Sequence, residues 1–212
     1  MSGCLISLEG GEGAGKSTVL AGLRSHIEAR GIVLHVTREP GGTALGEAIR
    51  RLVLDGAMAN VCAESELLLM FAARAQLVRE VIEPALSCGD WVLTDRFTDA
   101  SFAYQGGGRG QPIERIAELE RWAANGLRPS LTLLLDVPVE VGQARAARRG
   151  SPDRIESEKA EFFERVRAAY RARAEAEPER FRLIDSNQAI DAVLRAACSA
   201  VDPFIAKQKE GA

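Results

Sequence analysis

The sequence predicts an α/β fold with a parallel sheet of about five strands and helices on both faces, and three observations carry that expectation. Strand-like and helix-like segments alternate along the 212 residues, the pattern of strands joined by crossover helices. The strand candidates are short β-rich runs: Cys4–Glu9, Ile32–Thr37, Trp91–Thr94, Leu131–Val137 and Phe181–Ile184. Between the first strand and the first helix stands Gly10–Ser17, Gly-Gly-Glu-Gly-Ala-Gly-Lys-Ser, which matches the phosphate-loop pattern G-x-x-x-x-G-K-[ST] in full and in the required setting.

The glycines of that loop let successive backbone N–H groups turn inward around a polyphosphate, and the following helix adds its positive N-terminal end. Lys16 is expected to reach the β- and γ-phosphates of a nucleotide and the Ser17 hydroxyl to ligate Mg²⁺. Thr18 to Arg30 sets Val19, Leu20, Leu23 and Ile27 at helical spacing before a stop at Gly31. The second strand runs into the polar turn Arg38-Glu39-Pro40-Gly41-Gly42-Thr43, at a carboxyl edge where open α/β sheets bind ligands. A helix from about Leu45 to Leu54 carries Arg50 and Arg51; as neighbours they cannot share a face, so at most one looks into a site.

Glu64 to Leu86 reads as one long helix or two joined end to end, with Phe71 and Arg74 on one face. Taken alone, Phe71 is an ordinary core residue. Trp91–Thr94 leads into Asp95-Arg96, well placed beside a nucleotide and its metal, or else a surface ion pair. Ser101, Tyr104 and Gln105 precede Gly106-Gly107-Gly108-Arg109-Gly110, for which a mobile loop is predicted. Ile113–Asn125 is an amphipathic helix, and Pro138 opens the helix Val139–Arg149. Arg145, Arg148, Arg149 and Arg154 then surround Gly150-Ser151-Pro152. They form either a solvated charged face or a short lid, about 145–156, that lays arginine over transferring phosphates; beside a phosphate loop the lid is favoured. Helices over Lys159–Ala176 and Ala189–Ala206 flank the last strand, and a frayed tail is expected from Lys207.

The length fits one domain, 1–212, with one substantial core. Hydrophobic residues at 46% and charged residues at 27% exclude extended disorder, and a net charge of −3 argues against a general nucleic-acid or membrane-surface binder. Only Lys16, Lys159, Lys207 and Lys209 among the 27 basic residues are lysines; the arginines bring a planar fork suited to phosphate. Cys4, Cys62, Cys88 and Cys198 lie far apart, which suggests neither zinc nor disulfides and fits a reducing cytoplasm. With no leader before the first strand and no apolar run near the roughly 20 residues of a spanning helix, a soluble cytoplasmic protein is expected.

A phosphate loop by itself implies only a bound nucleoside triphosphate. An Asn-Lys-x-Asp guanine reader is missing and motor ATPases are generally larger, so a small-molecule kinase that closes a lid against water fits better. At this point the residues resemble the thymidylate kinase family over nearly the whole chain. The matching marks are the loop with Glu12 inside it, Thr37–Thr43, the helix with Phe71 and Arg74, Asp95-Arg96-Phe97, Ala103-Tyr104-Gln105-Gly106 and Asp153-Arg154-Ile155-Glu156.

The resemblance implies the P-loop nucleoside-monophosphate-kinase fold, transfer from ATP to dTMP giving dTDP and ADP, Mg²⁺, and a homodimer with no nucleic-acid or membrane partner. Gly10, Gly11, Glu12, Gly13, Ala14, Gly15, Lys16, Ser17 and Thr18 would hold ATP, with Ser17 and Asp95 at the metal. Glu39, Arg50, Phe71, Arg74, Arg96, Ser101, Tyr104 and Gln105 would bind dTMP: Arg50 and Arg96 on its phosphate, Phe71 stacked on thymine, Arg74 on its carbonyl edge, Ser101 and Gln105 completing base recognition, Tyr104 against the deoxyribose. Lys16, Arg96, Glu12 and a lid arginine would be catalytic. Since Gly11, Glu12, Gly13 and Ala14 include no base, the chain resembles the bacterial type that places this charge in the lid, with Arg149 first, then Arg145 and Arg154. Many relatives carry the stacking phenylalanine four residues before the arginine, where this chain has Met70. A kinase of another pyrimidine, or a regulatory module that has lost transfer, would share the loop; Lys16, Asp95, Arg96 and the lid arginines speak against the module.

Overall fold

The computed structural model describes residues 3–55, 61–149 and 153–210, apart from the side chains of Arg149, Lys209 and Glu210. Five parallel strands, β1 (Cys4–Gly10), β2 (Leu34–Arg38), β3 (Trp91–Asp95), β4 (Leu131–Asp136) and β5 (Phe181–Asp185), form one sheet in the order β2-β3-β1-β4-β5. The chain passes to one side of β1 for β2 and β3 and to the other for β4 and β5. The carboxyl end of β1 is therefore the point where connections diverge and leave a crevice.

The central strands β1 and β4 are buried almost throughout, whereas the edge strands β2 and β5 are half exposed. Along β1 the side chains alternate in role. Ile6 and Leu8, fully buried, pack with Val19, Leu23 and Ile27 of α1 (Lys16–Glu28) and with residues of the C-terminal helix; each such side chain contributes about 1.5–3 kcal/mol by leaving water. Leu5, Ser7 and Glu9 face the opposite layer. There lie α2 (Ala44–Leu54), capped by the Thr43 hydroxyl, which accepts from Gly46 N at 3.0 Å, and α3 (Ala63–Leu77). A π-helical turn, Val78–Ile82, joins α3 to α4 (Glu83–Ser87), so the predicted long helix is two joined end to end.

After β3 come α5 (Thr98–Ser101), a second π-helical turn over Phe102–Gly108, and α6 (Ile113–Ala123). Where a mobile glycine loop is predicted, the chain forms a packed turn. Gly106 and Gly108 are buried, and a Cβ on Gly107 would stand 2.7 Å from Ala169 Cβ and 2.8 Å from the Arg165 carbonyl, while one on Gly108 would collide with Phe162. Arg165 donates back to the Gly107 and Gly108 carbonyls. The glycines let the turn press against α8 (Ala160–Ala176), which is the opposite of a free loop.

Helix α7 (Val139–Ala146) follows β4 and ends in a 3₁₀ turn, Ala147–Arg149; α9 (Ile190–Glu210) follows β5 and includes Lys207–Glu210 of the tail expected to fray, the last two residues lying outside the described ones. A Cβ on Gly13 would collide with the Gly142 backbone and one on Gly142 with the Glu12 carbonyl, so α7 rests directly on the phosphate loop. Beneath the second layer Asp99, fully buried, accepts from Arg173 and Arg180 at 2.8 and 2.6 Å, tying α5 to α8 and to the start of β5. Burial raises the Asp99 carboxyl, but Arg180 and Arg173 outweigh it and hold it below the usual range.

Candidate active site

The crevice at the end of β1 is a cavity of about 420 Å³. One end is the phosphate loop from Glu12 to Thr18; the other is a wall of Met70, Arg74, Ser101, Tyr104 and Gln105, with Arg50, Asp95 and Arg96 between them. The loop owes its shape to backbone states: Gly13 and Gly15 hold φ +68° and +86°, a region open to glycine at no steric cost. Gly10 and Gly11 do not line the cavity. Their carbonyls accept from Lys16 Nζ at 3.1 and 3.2 Å, so the ammonium is already drawn over the loop. Burial and the nearby Arg96 charge lower the Lys16 pKa, opposed by Glu12 and Asp95. From behind, the Ser186 hydroxyl donates to the Ala14 carbonyl at 2.5 Å, and Arg145 donates to the Ser186 carbonyl at 2.9 Å.

Arg96 sits at φ +72°, a conformation that costs a residue bearing a Cβ roughly 1–2 kcal/mol. Its neighbours over-determine it. The guanidinium donates to Glu12 at 2.6 Å, to the Gly10 carbonyl at 3.2 Å and to the Tyr104 and Tyr170 hydroxyls at 2.9 and 3.2 Å, and it lies 4.5 Å from the centre of the Tyr104 ring. Tyr104 in turn donates to Glu12 at 3.0 Å, and its pKa is raised, chiefly by burial. One residue on, the Phe97 N–H donates to Glu9 Oε1 at 2.7 Å, while the Tyr170 hydroxyl donates to Glu9 Oε2 at 2.8 Å. The aspartate before Arg96 faces the cavity with its Oδ1 buried and without a hydrogen-bond partner.

Glu9 was not apparent in the sequence, where it reads as the last residue of a strand. Burial, with the charge of Asp99, raises its carboxyl from an ordinary 4.5 to about 8, against the opposing pull of Arg96. The folded protein thus binds a proton that the unfolded chain releases near pH 4.5, so stability falls as pH rises from about 5 to 8 and levels off above. Urea midpoints measured across that range should decline for the parent, and Glu9→Gln should remove much of the slope. Parallel slopes in the two proteins would show that another group is responsible.

Arg74 is buried against its partners. It donates to Glu39 at 2.8 Å, to Ser101 Oγ at 3.0 Å and to the Phe97 carbonyl at 3.1 Å, which orients it beside the cavity. The Glu39 carboxyl is raised by burial, with Arg74 opposing. Arg50 donates to the Pro40 carbonyl at 3.0 Å and lines the cavity, while Arg51 does not. Phe71 is not brought to the cavity. It is 3% exposed and packs with Leu67, Phe102, Ile116 and Ala123, its ring under Arg74; Met70 lines the wall instead. Adjacent helical residues point about 100° apart, so only one of the two can face the site.

The arginine-rich segment divides. Arg145 lines the cavity, and Arg149 ends the 3₁₀ turn with its side chain outside the described residues, as are Gly150–Pro152. Arg154 is not free to reach a phosphate: it donates to the Val53 carbonyl at 2.7 Å and to Glu66 at 2.5 Å, and its N–H bonds the Leu54 carbonyl. Glu66 belongs to none of the motifs in the sequence. The signal was there, since Glu66, Met70 and Arg74 recur every four residues along one helix face.

A phosphate loop at the switch point of a five-stranded parallel sheet, facing a polar wall at the other end of the same cavity across cationic side chains, defines a P-loop nucleoside-monophosphate kinase, a phosphotransferase. A model of the family described as thymidylate kinase matches residues 8–197. A thymidylate kinase of Methylobacillus flagellatus is 56% identical over 193 residues, 91% of this chain and 94% of that protein, and one of Pseudomonas putida is 55% identical over 195 residues, 92% and 93% of the two chains. The crystal structure of thymidylate kinase from Ehrlichia chaffeensis superposes with a TM-score of 0.78 at 28% identity, covering 96% of this chain and all of that one. The chain belongs to the thymidylate kinase family.

Proposed function

We propose that this protein transfers the γ-phosphate of ATP to dTMP, giving ADP and dTDP for dTTP synthesis. The observation that carries the reading is the single cavity in which a complete phosphate loop faces Arg74, Ser101 and Gln105 across Arg50 and Arg96. Two anionic nucleotides repel each other, and cations between them lower that cost while fixing the reacting oxygens in line. The acceptor phosphate is already an anion, so positioning and charge neutralisation replace a strong general base. Loop N–H groups and Lys16 cradle the donor, Arg50 and Arg96 hold the acceptor phosphate, and Glu12 keeps Arg96 and Tyr104 aligned beside the sugar. Met70 takes the base-packing role given to Phe71 by resemblance. Arg145 and the turn Asp185–Gln188 stand beside the donor's base.

Asp95, whose Oδ1 is buried without a hydrogen-bond partner, and the exposed Ser17 both line the cavity, a donor set that would suit Mg²⁺. Among the described residues there is no cluster of three or more His, Cys, Asp or Glu side chains that could hold a metal ion. When bound, Mg²⁺ neutralises charge on the β- and γ-phosphates.

The chain acts as one domain whose lid, about 145–156, closes over the phosphates and supplies Arg149. Arg149→Ala should lower kcat at least tenfold with little change in KM for dTMP; an unchanged kcat removes it from the mechanism. A homodimer through α3 and α6 is supported by Leu68 and Trp122, 57% and 80% exposed on those helices. A cytoplasmic setting fits the free cysteines, and among the described residues no helix is long and apolar enough to cross a membrane. The test of the activity is ADP release with ATP and Mg²⁺ against dTMP, dUMP, dCMP, dGMP and AMP, each beside a no-acceptor control. Turnover led by dTMP supports the reading, and ADP release without any acceptor overturns it.

A further inference from the structure

Glu66 takes no part in the transfer described above and does not line the cavity, yet it is a carboxylate 1% exposed, bonded to Gln105 of the base-end wall. Its Oε1 accepts from Gln105 Nε2 at 2.9 Å and from Arg109 Nε at 3.3 Å, and its Oε2 accepts from Arg154 at 2.5 Å and pairs with Arg109 at 3.2 Å. Burial raises its pKa, but these donors outweigh burial and hold the group below the ordinary carboxylate range. It is ionised, and an ionised carboxylate only accepts hydrogen bonds. Whatever part of the Gln105 amide faces Glu66 must therefore be the NH₂ group, whichever way the amide is drawn. Gln105 is further pinned within the π-helical turn, its backbone carbonyl accepting from Gln111 N at 2.9 Å. The half of the amide left to the cavity that Gln105 lines is Oε1, an acceptor.

We propose that Glu66 is a positioning residue that sets base selectivity: it locks Gln105 with its carbonyl toward the acceptor base and so demands a ring N–H. This rests on the reading of the cavity as a pyrimidine monophosphate site. Thymine and uracil carry N–H at ring position 3, whereas cytosine presents a lone pair there, opposite the Gln105 oxygen. Two facing acceptors leave a buried polar pair unmade, a mismatch far costlier than losing one weak contact. A neutral residue at position 66 can donate as well as accept, so the amide is free to flip and the requirement lapses.

The experiment compares kcat/KM for dTMP and dCMP in the parent, in Glu66→Gln and in Arg154→Met. Glu66→Gln should lower the dTMP-to-dCMP ratio about tenfold or more. Arg154→Met cuts the tie to the lid segment but leaves Glu66 on Gln105, and it should leave the ratio unchanged whatever it does to rate. An unchanged ratio in Glu66→Gln, or an equal shift in Arg154→Met, overturns the proposal. If Glu66→Gln does not fold, a crystal structure of the parent with dTMP decides: ring N3 within about 3 Å of Gln105 Oε1, with Nε2 still on Glu66, supports it, and N3 placed elsewhere overturns it. A parent that fails to phosphorylate dTMP would instead overturn the kinase reading, so the two failures are distinct.

Discussion

Arg96→Gly should lower kcat/KM for dTMP by about 10³-fold, roughly 4 kcal/mol of transition-state stabilisation, while the thermal midpoint moves by only a few degrees. Glycine is the informative replacement because Arg96 holds φ +72°, where glycine sits without strain, so relief of backbone strain offsets the lost contacts to Glu12, Tyr104 and Tyr170. The guanidinium is also the group that spans the two ends of the cavity, reaching the Gly10 carbonyl of the phosphate loop and the hydroxyl of Tyr104. Its charge grows in value as negative charge accumulates between donor and acceptor, so the loss should fall on kcat more than on KM. Steady-state kinetics beside a thermal melt separate the two effects. A loss below tenfold in a folded variant would remove Arg96 from the acceptor clamp.

Lys16→Met should cost a further order of magnitude, about 10³–10⁴-fold in kcat/KM, with stability unchanged or raised. The Gly10 and Gly11 carbonyls hold the ammonium over the loop, so it needs little reorganisation at the moment of transfer. Holding a cation there opposes folding, because burial and Arg96 both disfavour it, as the lowered Lys16 pKa records. Methionine keeps the stem and discards the charge. Activity and chemical denaturation of the same sample check both halves; a kcat within tenfold of the parent would contradict the assignment.

The cavity's two ends differed in how far they could be read in advance. The phosphate loop was legible because its geometry is local: eight consecutive residues between a strand and a helix carry the turn, the cation and the hydroxyl. At the base end the family resemblance pointed to Phe71 for stacking, whereas the residue taken alone reads as core; α3 is apolar on more than one side, and its packing against Phe102 and Ile116 turns Phe71 inward and Met70 toward the cavity. The glycine run after Gln105 was misread for a related reason. Glycine marks either a flexible loop or a close approach, and the presence of Phe162 and Ala169 across the gap decides for the second. Four arginines near the lid look alike in sequence, yet Arg154 is occupied by Glu66 and Val53, and Arg145 by Ser186.

What the sequence determined by itself was the alternating α/β sheet, the nucleotide loop and the family, all carried by hydrophobic period and short contiguous motifs. The tertiary structure alone decided which side chains face the cavity and which hold those side chains still. Buried polar and charged groups must be paired or hydrogen-bonded, and their partners are chosen in space: the ionised Glu66 meets Gln105 from 39 residues away, and the proton-holding Glu9 meets Tyr170 from 161.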